Sequence, residues 1–221
     1  DAGRPRASGR TGRGVLLAAV RTLAAHALPP GTKVLPVGSY AWGVDTDGSD
    51  VDVVLTAPGG GEADGSALHA LAGALAGCAA EPAPQEVAPS SGAGPFPEVL
   101  RDAWCALRGA AGVPVLTIYA HVDGQPLSID ICCAGQLSSI RDALLFRHAL
   151  VRCPRLRVAL PLLKRWLRAH SVPTSCEGSY PQVFWMRLAA RSFQQAQAQE
   201  AGGPAGAADA DRGVMGSRQD A

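Results

Sequence analysis

No apolar run in the sequence approaches the ~18 residues that a membrane-spanning helix needs, so no membrane partner is expected. Charge of one sign is missing too. Twenty basic residues face 19 acidic ones, a net charge of +1, and so balanced a chain carries no overall field toward nucleic acid or membranes. Any basic surface has to be local. Six cysteines are present, Cys78, Cys105, Cys132, Cys133, Cys153 and Cys176. They form no C-x-x-C pair and no disulfide-like framework, which points to packing cysteines in a reduced intracellular compartment, whether nucleus, cytoplasm or organelle. The adjacent Cys132-Cys133 pair has no second Cys/His cluster to make a zinc site with. Internal repeats are absent as well.

Hydrophobic residues make up 47% of the 221, enough for a buried core in one large domain or two small ones. The most informative stretch is Val37 to Leu55, VGSYAWGVDTDGSDVDVVL. Val51, Val53, Val54 and Leu55 favour a strand, whereas Asp50 and Asp52 are of a type that strands avoid. Alternate strand residues share a face, so the two carboxylates point the same way with Cα atoms roughly 6–7 Å apart. Like charges held side by side repel, and a divalent cation between them is the usual solution. A third acid, Asp130, sits between Ile129 and Ile131 in another apolar run. One Asp of this kind usually marks an edge or a turn, and a Gly-Ser pair alone is common. Three acids on apolar strands bring no structural return and favour a metal site. Gly38 lets the backbone approach phosphates, and Ser39 offers its amide and hydroxyl. The set suits transfer chemistry with two ions, Mg²⁺ or Mn²⁺: Asp50 and Asp52 bridge both, and Asp130 completes the site of the ion activating the attacking hydroxyl.

The remaining pattern is α/β. Residues 15–28 carry helical apolar spacing and stop at Pro29-Pro30. A short strand precedes the 38–49 loop, which has turn chemistry at Asp47-Gly48. Residues 97–108 read as a helix opened by Pro97. VPVLTIYAHVDGQPLSIDICCAG reads as two strands around Asp123-Gly124. Three helical patterns follow residue 138, and Pro161 is expected to disturb or delimit the middle one.

GSYAWGVDTDGSDVDVV resembles the signature of the polymerase β-like nucleotidyltransferase superfamily, and SIDI at 128–131 resembles its third-acid strand. The GSY opening and the WxxLxAR run of Trp185, Leu188, Ala190 and Arg191 look like poly(A) polymerases. The strand-turn-strand stretch is similar to that of poly(A) polymerases and terminal uridylyl transferases alike. LLKRWLRAHSV is similar to the helix whose lysine holds the triphosphate, which puts Lys164 on that lysine and Arg168, one turn on, at a second basic position. The resemblance puts Ser179 on a phosphate contact and Tyr180 on the tyrosine that stacks on the incoming base. It spans about residues 15–195. Two departures stand out: Gly112 where an Arg often precedes the VP strand, and Arg147-His148 where an Asn meets the ribose.

The resemblance implies an α/β (α+β) fold: a small mixed-sheet catalytic domain over 15–137, then the start of a helical domain over 138–197. Within the first, residues 59–96 read as a helix near Leu68–Leu75 in an otherwise variable surface insertion. A disordered basic arm (1–14) and a disordered tail (198–221) flank the two domains, and the rest of the helical domain would lie beyond residue 221. The first residue is not Met, which fits a fragment or a processed product. The implied activity is template-independent transfer of a nucleoside monophosphate from NTP to an RNA 3′-hydroxyl, AMP favoured and UMP the close alternative. The partners would be an RNA 3′ end and ATP or UTP, with a protein partner or missing domain supplying RNA affinity. A non-catalytic RNA- or partner-binding subunit is the rival from another class, and transfer to a small molecule or protein is a third reading. Other residues have plainer roles. Lys164 and Arg168 would by periodicity alone form a solvated cationic face; Trp42 is expected to pack; Trp166 and Trp185 are expected in the core. His148 replaces the missing Asn or is structural. Arg4, Arg6, Arg10 and Arg13 guide RNA or solubilise the arm.

Overall fold

The computed structural model describes residues 7–61, 63–80, 97–108, 114–133, 137–172 and 182–201. Five strands form one sheet: β1 (Lys33–Val37), β2 (Val51–Thr56), β3 (Trp104–Arg108), β4 (Val115–Val122) and β5 (Gln125–Cys133), in the order β1-β2-β5-β4-β3. β2 and β5 run parallel and every other pair antiparallel. Asp123 and Gly124 close the β4–β5 hairpin with φ of 52° and 72°, the two positive angles that a tight Asp-Gly turn requires. The helix expected over 97–108 is not there. A single 3₁₀ turn at Glu98–Leu100 gives way to β3, the sheet's edge strand. Its residues alternate: Cys105 packs on the core, while Trp104 and Arg108 are exposed. Tertiary pairing with β4 overrides local helical preference.

Two helices cover one face of the sheet. α1 (Ala7–Ala27) buries Leu16, Leu17, Val20, Leu23 and Ala24, the 3.6-residue stripe of an amphipathic helix. α3 (Ser66–Ala80) buries Leu68, Leu71 and Leu75. Together they pack on Val51, Val53, Leu116, Ile118, Ile129 and Ile131, each fully buried aliphatic contributing about 1.5–3 kcal/mol. α1 departs from expectation: it starts at Ala7, eight residues before Val15, with Arg13 buried on it. α3 contains the helix expected near Leu68–Leu75, extends it at both ends and packs it into the core.

The opposite side carries a second apolar cluster. A five-residue helix, α2 (Gly38–Trp42), occupies part of the expected loop. α4 (Leu137–Arg152), α5 (Leu156–Ala169) and α6 (Gln182–Ala201) follow the sheet. Trp42, Val44, Phe146, Leu150, Leu156, Leu160 and Met186 form the shared core. Trp42 packs as expected, stacked on Phe146 with ring centroids 4.0 Å apart. Pro161 does not delimit a helix, because α5 runs straight through it. Pro161 is itself buried, so its ring packs in the interior while the carbonyl one turn earlier loses its amide partner. Trp166 is 53% exposed and stacks on His170, so it is no core residue; Trp185 is half-buried. Among the described residues no helix is long and apolar enough to cross a membrane.

The Trp42–Phe146 stack is the aromatic joint between α2 and the helices that follow the sheet. Trp42→Ala is expected to cost about 3–5 kcal/mol, measured as a lowered urea midpoint with unchanged slope.

Candidate active site

β2 and β5 bring the three acids together. Asp52 and Asp130 lie directly opposite one another in the parallel register, so their side chains share a face. Asp50 precedes β2 by one residue. One carboxylate oxygen from each lies within 4.8 Å of the others; Asp50 is exposed, Asp52 and Asp130 half-buried. Burial first, then the charges of Asp50 and Asp130, push the Asp52 carboxyl up to about 7, against a downward pull from Lys164. Three hard oxygen donors crowded until one resists ionisation are a donor set that a divalent cation fits, since its charge removes the repulsion.

Gly38 explains its own identity. Its φ is +62°, and a Cβ added there would lie 2.2 Å from Asp52 Oδ2. No larger residue leaves both the left-handed backbone and the Asp52 carboxylate in place. Next to it, Ser39 is buried, and its hydroxyl accepts from Lys164 Nζ at 2.9 Å. Lys164 reaches down from α5 and also donates to Ser49 Oγ at 3.1 Å. Burial, and then the neighbouring Arg168, hold the Lys164 ammonium below the ordinary lysine value, against the opposite pull of Asp50, Asp52 and Asp45. Arg168, one turn on, is exposed.

Sequence reasoning missed a buried polar clasp behind this site. Arg13 is 2% exposed. It donates to the Ser49 carbonyl at 2.8 Å, the Thr46 carbonyl at 3.0 Å and Asp45 Oδ2 at 3.1 Å. Ser49 Oγ in turn accepts from the Thr46 amide at 3.0 Å. The loop that delivers Asp50 is therefore tied to α1 by a guanidinium, and Arg13 belongs to no free arm. A signal existed: position 13 falls on the same helical face as Leu16, Leu17 and Val20.

Of the remaining expectations, Ser179, Tyr180 and Gly112 lie outside the described residues. His148 lines a groove of about 540 Å³ between α4 and α6, together with Arg141, Arg187 and Arg191. Cys132 and Cys133 are free thiols that donate to the carbonyls of Val53 and Asp64. They are packing residues.

The five-strand mixed sheet, with the acids paired across β2 and β5 and the Gly-Ser helix beside them, matches the fold of solved nucleotidyltransferase structures. No protein-family model matches the sequence, and no curated protein matches it. Its structural neighbours are the Cid1 poly(U) polymerase and related terminal uridylyltransferases. A MgGTP-bound Cid1 structure superposes with a TM-score of 0.63 at 14% identity, covering 83% of this chain and 50% of that one. A cytoplasmic RNA terminal U-transferase gives 0.60 at 15%, with 83% and 48% covered. Cid1 with its short product ApU gives 0.61 at 13%, with 83% and 48% covered. The chain thus spans about half the length of the structures it matches.

Two outcomes follow from this geometry. Gly38→Ala is expected to destabilise the fold by about 1–3 kcal/mol, because it strains a left-handed backbone against the Asp52 carboxylate; a lowered urea midpoint with unchanged slope would check it. The second concerns pH. In metal-free protein Asp52 titrates at about 7 folded, against 3.8 as the ordinary value. Between those values the folded state holds the extra proton, so stability is lost as pH rises from about 4 to 7. Asp52→Asn is therefore expected to stabilise the metal-free chain by about 2–4 kcal/mol at pH 8, the gain vanishing below pH 4. Urea melts in EDTA at the two pH values test it.

Proposed function

We propose that this chain transfers a nucleoside monophosphate from an NTP to the 3′-hydroxyl of RNA without a template. The observation that carries the reading is the convergence of Asp50, Asp52 and Asp130 within 4.8 Å across β2 and β5, beside Gly38, Ser39 and the buried Lys164 contact. The three aspartates would hold Mg²⁺ or Mn²⁺, which when bound lowers the hydroxyl's pKa and neutralises phosphate charge. Lys164 is the phosphate cation of this reading. Its two hydroxyl partners, Ser39 and Ser49, give the ammonium a fixed position that phosphate oxygens of the incoming triphosphate can share. Gly38 keeps the backbone clear of Asp52, and Arg168 adds a second positive charge on the same helix. Ser179 as a phosphate contact and Tyr180 as the base platform remain assignments by resemblance.

The division into a catalytic domain over 15–137 and the start of a helical domain over 138–197 belongs to the same proposal, with the nucleotide between them. On the base, the sequence favoured AMP. The solved structures similar to this chain include a poly(U) polymerase and a terminal U-transferase, among them a complex with a UTP analogue, so UMP becomes the first expectation and AMP the alternative.

A 3′-extension assay on labelled oligo(A) RNA tests the reading, with Mg²⁺ or Mn²⁺, each NTP separately, and Asp50→Asn/Asp52→Asn as the control. Extension with UTP, lost in the control, is the expected result. Extension with ATP instead would restore the AMP assignment. NTP binding by calorimetry without any extension would favour the non-catalytic subunit. Absence of both NTP and metal binding would overturn the active-site reading.

A further inference from the structure

The sheet face that carries the acids continues beyond them. By strand register, Asp52, Asp130, Thr117 and Ala106 form one row across β2, β5, β4 and β3. The next row contains Ser128, Tyr119 and Trp104. The two flanks of the acids differ in chemistry. On the β1 side lie Gly38, Ser39 and Lys164, which suit a triphosphate. On the β4–β3 side lies an aromatic corner. Trp104 is 59% exposed, and one of its faces is stacked on Tyr119 with centroids 4.0 Å apart and planes 16° apart. Its exposure therefore falls largely on the other face. Arg108 lies beside the pair, its Nη2 donating to Tyr119 Oη at 2.6 Å and Thr117 Oγ1 at 2.9 Å.

We propose that Trp104, Tyr119 and Arg108 form a stacking platform for single-stranded RNA just upstream of its 3′ end. The inference rests on the nucleotidyl-transfer reading above and adds the location of the acceptor strand. In-line displacement requires the attacking hydroxyl and the leaving group to lie on opposite sides of the reacting phosphorus. With the triphosphate on the β1 flank, the acceptor must enter over β5, β4 and β3. Trp104 stands two strands and two residues from Asp130, about 12 Å between Cα atoms, a span of about one or two nucleotides of extended strand. An exposed indole offers a sequence-tolerant face for a base. The guanidinium, fixed by two neutral hydroxyls, keeps free N–H groups for a phosphate. A chain with a net charge of +1 has no general field for RNA, so a local stacking site carries more of the affinity.

The test compares wild type with Trp104→Ala, Trp104→Phe and Arg108→Gln. It uses labelled oligo(A) extension and fluorescence anisotropy of the same RNA. Trp104→Ala is expected to raise the KM for RNA and the RNA Kd about tenfold or more. The KM for NTP should stay within about twofold, and Trp104→Phe should retain most of the affinity. Arg108→Gln should weaken RNA binding and flatten its dependence on salt. Unchanged RNA Kd in both Trp104→Ala and Arg108→Gln overturns the platform, as would happen if this face docks a protein. Equal losses in RNA and NTP binding also overturn it, because the corner would then be only structural. If the wild type extends no RNA yet loses RNA binding on Trp104→Ala, the platform stands and the transfer reading fails.

Discussion

Asp52 and Asp130 face each other across a parallel strand pair, and the rest of the molecule is arranged around that repulsion. The parallel pairing fixes their separation, so no rotation of either strand relieves it. Asp50 adds a third charge, and burial first, then Asp50 and Asp130, hold the Asp52 proton to about pH 7. Compensation comes from a single buried ammonium on a helix far along the chain. Burial and then Arg168 lower the Lys164 ammonium below the ordinary lysine value, and Asp50 and Asp52 pull it back toward the charged form. An uncompensated trio would favour a different packing of β2; with Lys164 in place, the three acids stay close enough to offer a divalent cation a donor set.

Around this centre the structure is built in two apolar halves with a polar seam between them. The larger half, beneath the sheet, is ordinary aliphatic packing on α1 and α3. The smaller half joins α2 to α4, α5 and α6 through Trp42 and Phe146. The seam consists of Ser39, Ser49, Lys164 and the Arg13 clasp. Every group in it except one oxygen of Asp45 has a partner among the described residues, which is what lets so much polarity be buried.

How much of this was legible in the sequence depended on how local each signal was. The acids, the Gly-Ser turn and the Asp-Gly hairpin are local patterns with local physics, and the structure assembles all of them. β3 was misread because Trp104 to Arg108 has no strand signature alone; its strand character comes from β4. α3 was legible through its three leucines at helical spacing, although the Gly/Ala-rich composition around it hid its full length. Arg13 was assigned to a free arm and Ser49 to a plain loop because their meaning is a contact 36 residues apart in the chain. Trp166 was placed in the core from its residue type, whereas its position on α5 turns it outward. Chemistry was easier to see than burial.

The reach of Lys164 has a consequence for how the protein acquires its function. Its hydrogen bonds to Ser39 and Ser49 join residues 125 and 115 positions apart, whereas the acid strands pair over shorter separations. Contacts of such length form late, since the intervening chain must order before they return any energy. During synthesis from the N-terminus, α2 and the acids emerge and fold well before α5 does. The acids are then in place first, and Lys164 closes onto them. Anything that binds across the acids and the ammonium together would act on that last step of folding, drawing the nascent chain into its finished form.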